Sequence, residues 1–312
     1  MVIFHEAMEP DQLHLDLAYF AQRRLRPAFP DMPRDGDAPR LLALEAAFLE
    51  EERAAVAPEA ASAPREPEAF VAWFEGLRER GPGQGDPLFP WLETQATLSQ
   101  MRWFLAQEVA GEAGFDDLVA LTQVRMPVQA KLEFARNYWD EMGRGREPAM
   151  HGPLLGNLAK SLDVQPELGE VVWEALALGN LLVGLALDRR YAYHSAGALG
   201  AVELTAPTRV GHVDRGLARL GVSKSARRYF TLHATLDVQH SRAWNREVLA
   251  TLVAQDPRIA PALAEGALMR LRAGARCFAR YRRELWRLQP AEGAQGGGFA
   301  VDEAGADVVA PA

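Results

Sequence analysis

The string His233-Ala-Thr-Leu-Asp237-Val-Gln-His240 carries the strongest chemical signal in the chain. On a helix, positions i, i+4 and i+7 fall within roughly 60° of one another. Two imidazoles and a carboxylate therefore project from one face, beside Leu232, Leu236 and Trp244, which read as core. The chain holds only seven histidines, so the pattern does not come from a His-rich composition. Three ligand-type side chains on one helix bind a metal only when partners arrive from other elements. Without partners, the same histidines would sit at a polar surface or satisfy each other.

Candidate partners occur on other predicted helices. Glu141 closes the string Asn137-Tyr-Trp-Asp-Glu141-Met-Gly-Arg-Gly, and His151 opens the next helix ten residues later. Glu108 and Glu112 lie one turn apart in Phe104-Leu-Ala-Gln-Glu108-Val-Ala-Gly-Glu112, inside an otherwise apolar helix. Glu203 sits in Ala198-Leu-Gly-Ala-Val-Glu203-Leu-Thr-Ala-Pro, among small and apolar neighbours. A carboxylate in such company is costly to bury unless it is paired or bound to a metal. Each has a blander reading, as a solvated side chain or a helix-end hydrogen bond. Together they supply what the His/Asp helix lacks.

The donor set selects the metal. Carboxylates mixed with imidazole, with no thiolate, suit iron or manganese, whereas structural zinc needs only four ligands. Seven candidates are too many for one ion and suited to two, with carboxylates bridging the pair and open positions left for dioxygen. Ferritin-like di-iron bundles use Glu-x-x-His pairs, and no histidine here follows a glutamate at that distance. That architecture is disfavoured.

With these strings in view, the sequence resembles the heme-oxygenase-like di-iron oxidases and oxygenases, the iron-containing redox enzyme family. The resemblance rests on the Glu108 string, the Asn137–Gly145 string with His151, the Gly197–Pro207 string with Glu203, and His233-x3-Asp237-x2-His240, and it covers roughly Trp91 to Leu288. It implies that Glu141, His151, His233, Asp237 and His240 are iron ligands, that Glu108 supplies the early-helix carboxylate, and that Glu203 adds another. Glu112, one turn after Glu108, competes for the early position. The resemblance further implies an all-α, heme-oxygenase-like bundle of about seven core helices that holds two iron ions and no heme. Its site would be labile and formed partly by rearrangement of one core helix. Family members N-oxygenate amines or guanidines, or fragment, desaturate or cyclise amino acids or fatty acids. A small amine or amino-acid-like metabolite, dioxygen and an external electron donor are the implied partners. Gly197, Gly200 and Pro207 weaken the Glu203 helix, which fits a segment that orders around metal.

The elements that must position these residues follow helical periodicity almost throughout. Asp11–Arg24, Arg40–Arg53 and Phe70–Arg80 are predicted helices, separated by a Pro/Ala-rich linker from Ala57 to Pro67. A long pattern runs from Trp91 to Gln123, with a break near Gly111 or Gly114. Pro127 opens a helix that Gly143 and Gly145 close. Met150–Ser161, Pro166–Leu187 and Ala198–Leu220 follow, then a helix capped by Ser223 and reaching Ala254, and a last one from Asp256-Pro257 to Leu288. Residues 1–85 thus read as an N-terminal helical extension and linker, 86–288 as the di-iron domain, and 289–312 as a disordered tail.

Composition narrows the partners. Hydrophobic content of 48% and charged content of 24% are ordinary for a globular chain. The net charge of −8 argues against nucleic acid. Cys277, the sole cysteine, excludes an internal disulfide, a Cys-based zinc site and an iron–sulfur cluster, and points to a reducing compartment. The first ten residues show no basic n-region and no apolar h-region, so export is not expected. The apolar stretch Val171–Leu187, interrupted by Glu174 and Asn180, reads as a buried core helix rather than a membrane span. A cytoplasmic protein is expected, with a homodimer admissible. Asp188-Arg-Arg-Tyr-Ala-Tyr-His194 offers arginines for a substrate carboxylate, or simply a basic helix end. The competing classes are a non-catalytic metal-binding bundle and a metal-dependent hydrolase. The latter lacks a phosphate-clamping motif.

Overall fold

The computed structural model describes residues 8–111 and 114–287, and among them every regular element is helical, with no strand. In chain order these are α1 (Pro10–Leu25), α2 (Ala38–Ala60), α3 (Pro67–Glu75), α4 (Leu77–Arg80), α5 (Leu88–Thr94), α6 (Leu98–Gly111) and α7 (Phe115–Thr122). They continue with α8 (Val128–Glu141), α9 (His151–Ser161), α10 (Trp173–Leu187), α11 (Ala192–Arg219), α12 (Arg228–Ala243), α13 (Ala250–Gln255) and α14 (Ala260–Arg287). The all-α expectation holds. The N-terminal residues 1–7, Glu112, and the tail expected to be disordered lie outside the described residues.

The core gathers around α10, α11 and α14. Helix α10 is buried on nearly every face, as an apolar helix covered by neighbours should be. Glu174 breaks its apolar run but faces Arg283 and Arg280 at 3.4 and 3.7 Å. Asn180 donates from Nδ2 to the carbonyl oxygen of His14 at 2.9 Å. No helix among the described residues is long and apolar enough to cross a membrane. Helices α11 and α14 cross with their backbones in contact. A Cβ on Gly197 would stand 2.0 Å from the Leu263 carbonyl oxygen, and one on Gly266 would stand 1.9 Å from that of His194. Close helix packing therefore accounts for Gly197, and α11 runs unbroken through Pro207. The N-terminal helices join the same core, where Leu17, Leu49, Phe70 and Phe74 cluster with Leu199 and Trp244.

Several boundaries differ from the sequence reading: α10 starts at Trp173 rather than Pro166, α11 at Ala192 rather than Ala198, and the pattern from Trp91 is already broken between Thr94 and Leu98. Alanine-rich α2 continues through Pro58 to Ala60 because Val56 and Ala60 are buried, so the linker shrinks to residues 61–66. Glu66 caps α3, accepting from the N–H groups of Glu68 and Ala69. The helix expected to start at Ser223 starts at Arg228. Gly221 turns the chain with φ +81°, and Ser223 Oγ accepts from Ala226 N within the turn that follows. That same rod is not uniform. It passes through a π-helical turn, Trp244–Leu249, before α13. The predicted break near Gly114 is present, with φ +73°.

Candidate metal centre

Glu141 is the last residue of α8 and His151 the first of α9. The connection between them doubles back on Gly143 and Gly145, both in the left-handed region at φ +61° and +78°. A Cβ on Gly143 would stand 2.6 Å from the Ala149 carbonyl carbon, so only glycine permits the fold-back. The turn brings His151 Nδ1 to 2.8 Å from Glu141 Oε2. From α12, His233 Nε2 arrives 3.1 Å from His151 Nδ1 and 3.6 Å from Glu141 Oε2. The other oxygen of Glu141 faces a second group. His240 Nδ1, two turns further along α12, lies 3.8 Å from Glu141 Oε1 and 3.5 Å from Glu203 Oε1 on α11. Two ligand clusters therefore form, Glu141/His151/His233 and Glu141/Glu203/His240, all buried, with Glu141 common to both.

Surrounding groups fix these side chains. His233 Nδ1 donates to the Tyr229 carbonyl oxygen at 2.7 Å, which leaves Nε2 to face the site. His240 uses Nε2 toward Asp140 Oδ2 at 3.2 Å, which leaves Nδ1 facing inward. A metal-binding histidine typically has its other nitrogen held by a carboxylate or carbonyl in this way. The Tyr229 hydroxyl lies 3.3 Å from His151 Nε2, and Asn137 donates from Nδ2 to Glu203 Oε1 at 2.6 Å.

The electrostatics describe a site short of positive charge. Burial alone would push the Glu141 carboxyl up, but hydrogen bonds and charge from His151 and His233 hold it well below the usual carboxylate range. His240 is opposed by burial yet raised to about 10 by Glu203, Asp140 and Glu141. Burial and the charge of Glu203 push the Asp237 carboxyl well above its ordinary value. Protons thus supply the cations the carboxylates require. His240 Nδ1 and Asp237 Oδ1 are enclosed without hydrogen-bond partners. Orphaned buried donors and acceptors are costly, and ions seated between the carboxylates and imidazoles would satisfy both. The donor set, oxygen and imidazole without sulfur, fits iron.

The structure brings Glu141, His151, Glu203, His233 and His240 together, with Asp237 on the same face of α12 and buried to 4% exposure. Glu108 belongs to neither cluster. It lines a separate cavity with Arg270 and Tyr281, and its rival Glu112 lies outside the described residues. The arginines after α10 serve structure: Arg189 donates to the Leu121 and Thr122 carbonyls at the end of α7, and Arg190 pairs with Asp188 at 2.6 Å. Sequence reasoning missed Asp140, Asn137 and Tyr229. Asn137 and Tyr229 stand one helical turn before Glu141 and His233, a spacing that could have revealed them.

A family model described as iron-containing redox enzyme matches residues 102–275, more than half of the 312-residue chain. The matched stretch runs from α6 into α14 and contains all the residues of both clusters. No curated protein matches the chain.

Proposed function

The chain belongs to the iron-containing redox enzyme family, whose fold is heme-oxygenase-like and all-α, and from that premise we propose a non-heme di-iron oxidoreductase. It activates dioxygen to oxidise a small amine or amino-acid-like metabolite, by N-oxygenation or by oxidative cleavage, desaturation or cyclisation. The observation that carries this reading is the double-sided position of Glu141, whose two carboxylate oxygens each face a different histidine cluster. A carboxylate placed so is suited to bridge two ions.

In this reading Glu141, His151 and His233 would hold one iron, and Glu141, Glu203 and His240 would hold the other. Asp237, between His233 and His240 on α12, serves either. A bound iron pair supplies redox equivalents for dioxygen. The chain's own residues do the rest. Asp140 and the Tyr229 carbonyl fix the orientation of His240 and His233, Asn137 steadies Glu203, and the closed surroundings exclude bulk water. On metal loading, the protons held at His240 and Asp237 leave, because ligands must be deprotonated to bind.

Anaerobic titration with Fe(II) should saturate near two ions per chain, and mixing with dioxygenated buffer should give a transient visible absorbance in stopped flow. Saturation at one ion, with no absorbance change on oxygen exposure, would remove the di-iron reading.

A further inference from the structure

The turn between α8 and α9 forms the outer side of the metal centre. A cavity of about 210 Å³ opens there, walled by Asp140, Arg144 and Arg146 and, from α12, by Arg228, Leu232 and Leu236. Asp140 connects this cavity to the candidate ligands. Arg144 Nε donates to its Oδ1 at 2.6 Å, and its Oδ2 lies 3.2 Å from His240 Nε2. Arg144 is exposed, so one carboxylate separates a surface guanidinium from an imidazole that faces the centre. Arg146 and Arg228 are also exposed and make no ion pair among the described residues. Arg242, exposed as well, shares the face of α12 that carries Arg228. Exposed Glu147 in the turn offsets only part of this charge. The mouth is therefore positive on a chain whose net charge is −8.

A row of exposed apolar side chains leads to it. Val128, Leu132, Ala135 and Trp139 fall within about 60° of one another on α8. Val128 is 76%, Leu132 50% and Trp139 54% exposed, and Ala135 is exposed beside them. Trp139 lies against the turn that carries the arginines, since a Cβ on Gly145 would stand 3.0 Å from its ring. Exposed Lys131 and Arg136 flank the row, Arg136 being paired with buried Glu133. Apolar side chains gathered on one exposed face mark an interaction surface, and aromatic and arginine residues are enriched at protein interfaces. A small anion would use the arginines but not the row.

Resting on the di-iron reading, in which dioxygen leaves ferric ions to be reduced again, we propose that this face docks an acidic electron-transfer protein, an iron–sulfur carrier of the ferredoxin type, and that Asp140 and His240 form the short route from it to the metal. Carboxylates of the carrier meet Arg144, Arg146 and Arg228, and its apolar contact falls on Trp139. Each docking passes one electron: the carrier is oxidised by one, and one ferric ion becomes ferrous, so two dockings restore the pair. Such encounters are small and transient, and opposite charge speeds them.

The first measurement uses full-length, metal-free protein, so that docking is read apart from metal chemistry. An acidic plant-type ferredoxin should bind in calorimetric titration at low salt and lose most of its affinity at high salt, where surface charges are screened. Arg146→Glu and Arg228→Glu should each weaken binding by about tenfold or more, because like charges then face each other across the contact. Trp139→Ser should weaken it too. Arg272→Glu, which reverses an exposed charge on α14, should bind like wild type. The second measurement uses iron-loaded, air-oxidised protein held under nitrogen. Reduced ferredoxin should bleach the ferric absorbance about tenfold more slowly in the Arg146 and Arg228 variants, while photoreduced deazaflavin, a small reductant that needs no docking, should act on all forms alike. No ferredoxin binding, equal weakening by Arg272→Glu, or docking that these arginines control without changing the rate of reduction would overturn the proposal. Ferredoxin docking through these arginines on a chain that takes up a single ion would keep the surface and remove the di-iron reading instead.

Discussion

Among the described residues Glu141 alone is common to both clusters, and each of its oxygens faces a different one. Substitutions should therefore fall into two classes by metal count. Glu141→Ala is expected to lose both ions, whereas His240→Ala and Glu203→Ala should each keep the ion held by His151 and His233 and lose the other. Iron analysis after anaerobic loading reads this directly, and equal losses from all three variants would deny the bridging role. Asp140 acts through another residue. Asp140→Asn keeps a hydrogen-bond acceptor but removes the charge behind His240 Nε2, and should weaken the affinity of one site by ~10–100-fold. Glu108→Ala should retain both ions, since Glu108 stands with Arg270 and Tyr281 outside the two clusters. Loss of iron from that variant would restore it to the ligand set. The ligand-bearing strings could be read from spacing because helical periodicity places His233, Asp237 and His240 on one face. Which carboxylates come to meet them could not be read that way, because this depends on how helices distant in sequence cross.

Those crossings are set by glycine. Gly197 and Gly266 let α11 and α14 touch backbone to backbone, and α11 carries Glu203 to the candidate metal centre. Adding a side chain at Gly266 must push the helices apart, since its Cβ would overlap the His194 carbonyl. Gly266→Ala should destabilise the fold by about 3 kcal/mol, at the upper end for overpacking a core, and should reduce iron uptake because Glu203 moves with α11. Chemical denaturation and iron counting check the two effects; a variant as stable as wild type would show that the contact yields easily. In the sequence these glycines read as weak points of a helix, and only the packed neighbour reveals their use. The π-helical turn at Trp244–Leu249 was equally hidden. Periodicity there is compatible with an ordinary helix, while the structure buries Trp244 completely and has its Nε1 donate to the Ala196 carbonyl at 3.1 Å. Such widened turns often lie near functional sites, and this one follows His240 by four residues.

The molecule as a whole is held together partly by a histidine that has no part in metal binding. His14, on α1, is 4% exposed. Its ring packs edge-on to Phe48 of α2 at 4.8 Å and stacks on Trp173 of α10 at 5.6 Å. It therefore joins the N-terminal helices to the core that carries the candidate metal centre. Burial, and then the charge of Arg276, lower His14 from 6.5 to about 4. The folded protein thus holds His14 neutral in a pH range where the unfolded chain protonates it. Between pH 6.5 and 4 the unfolded state binds more protons, so stability rises with pH in that window and is lost as pH falls through it. The full contribution, present above pH 6.5, is about 3 kcal/mol from the size of the shift. Many carboxylates also titrate below pH 5, so the wild-type curve alone cannot isolate the effect. His14→Phe keeps an aromatic ring between Phe48 and Trp173 but cannot take a proton. The stability difference between wild type and His14→Phe should therefore move in favour of the variant by about 3 kcal/mol as pH falls from 7.5 to 4. Urea unfolding of metal-free protein at several pH values measures it, with iron left out because its own ligands titrate. A difference that stays constant across this range would mean that His14 takes up its proton in the folded protein as readily as in the unfolded chain, and that the junction of α1, α2 and α10 opens to water.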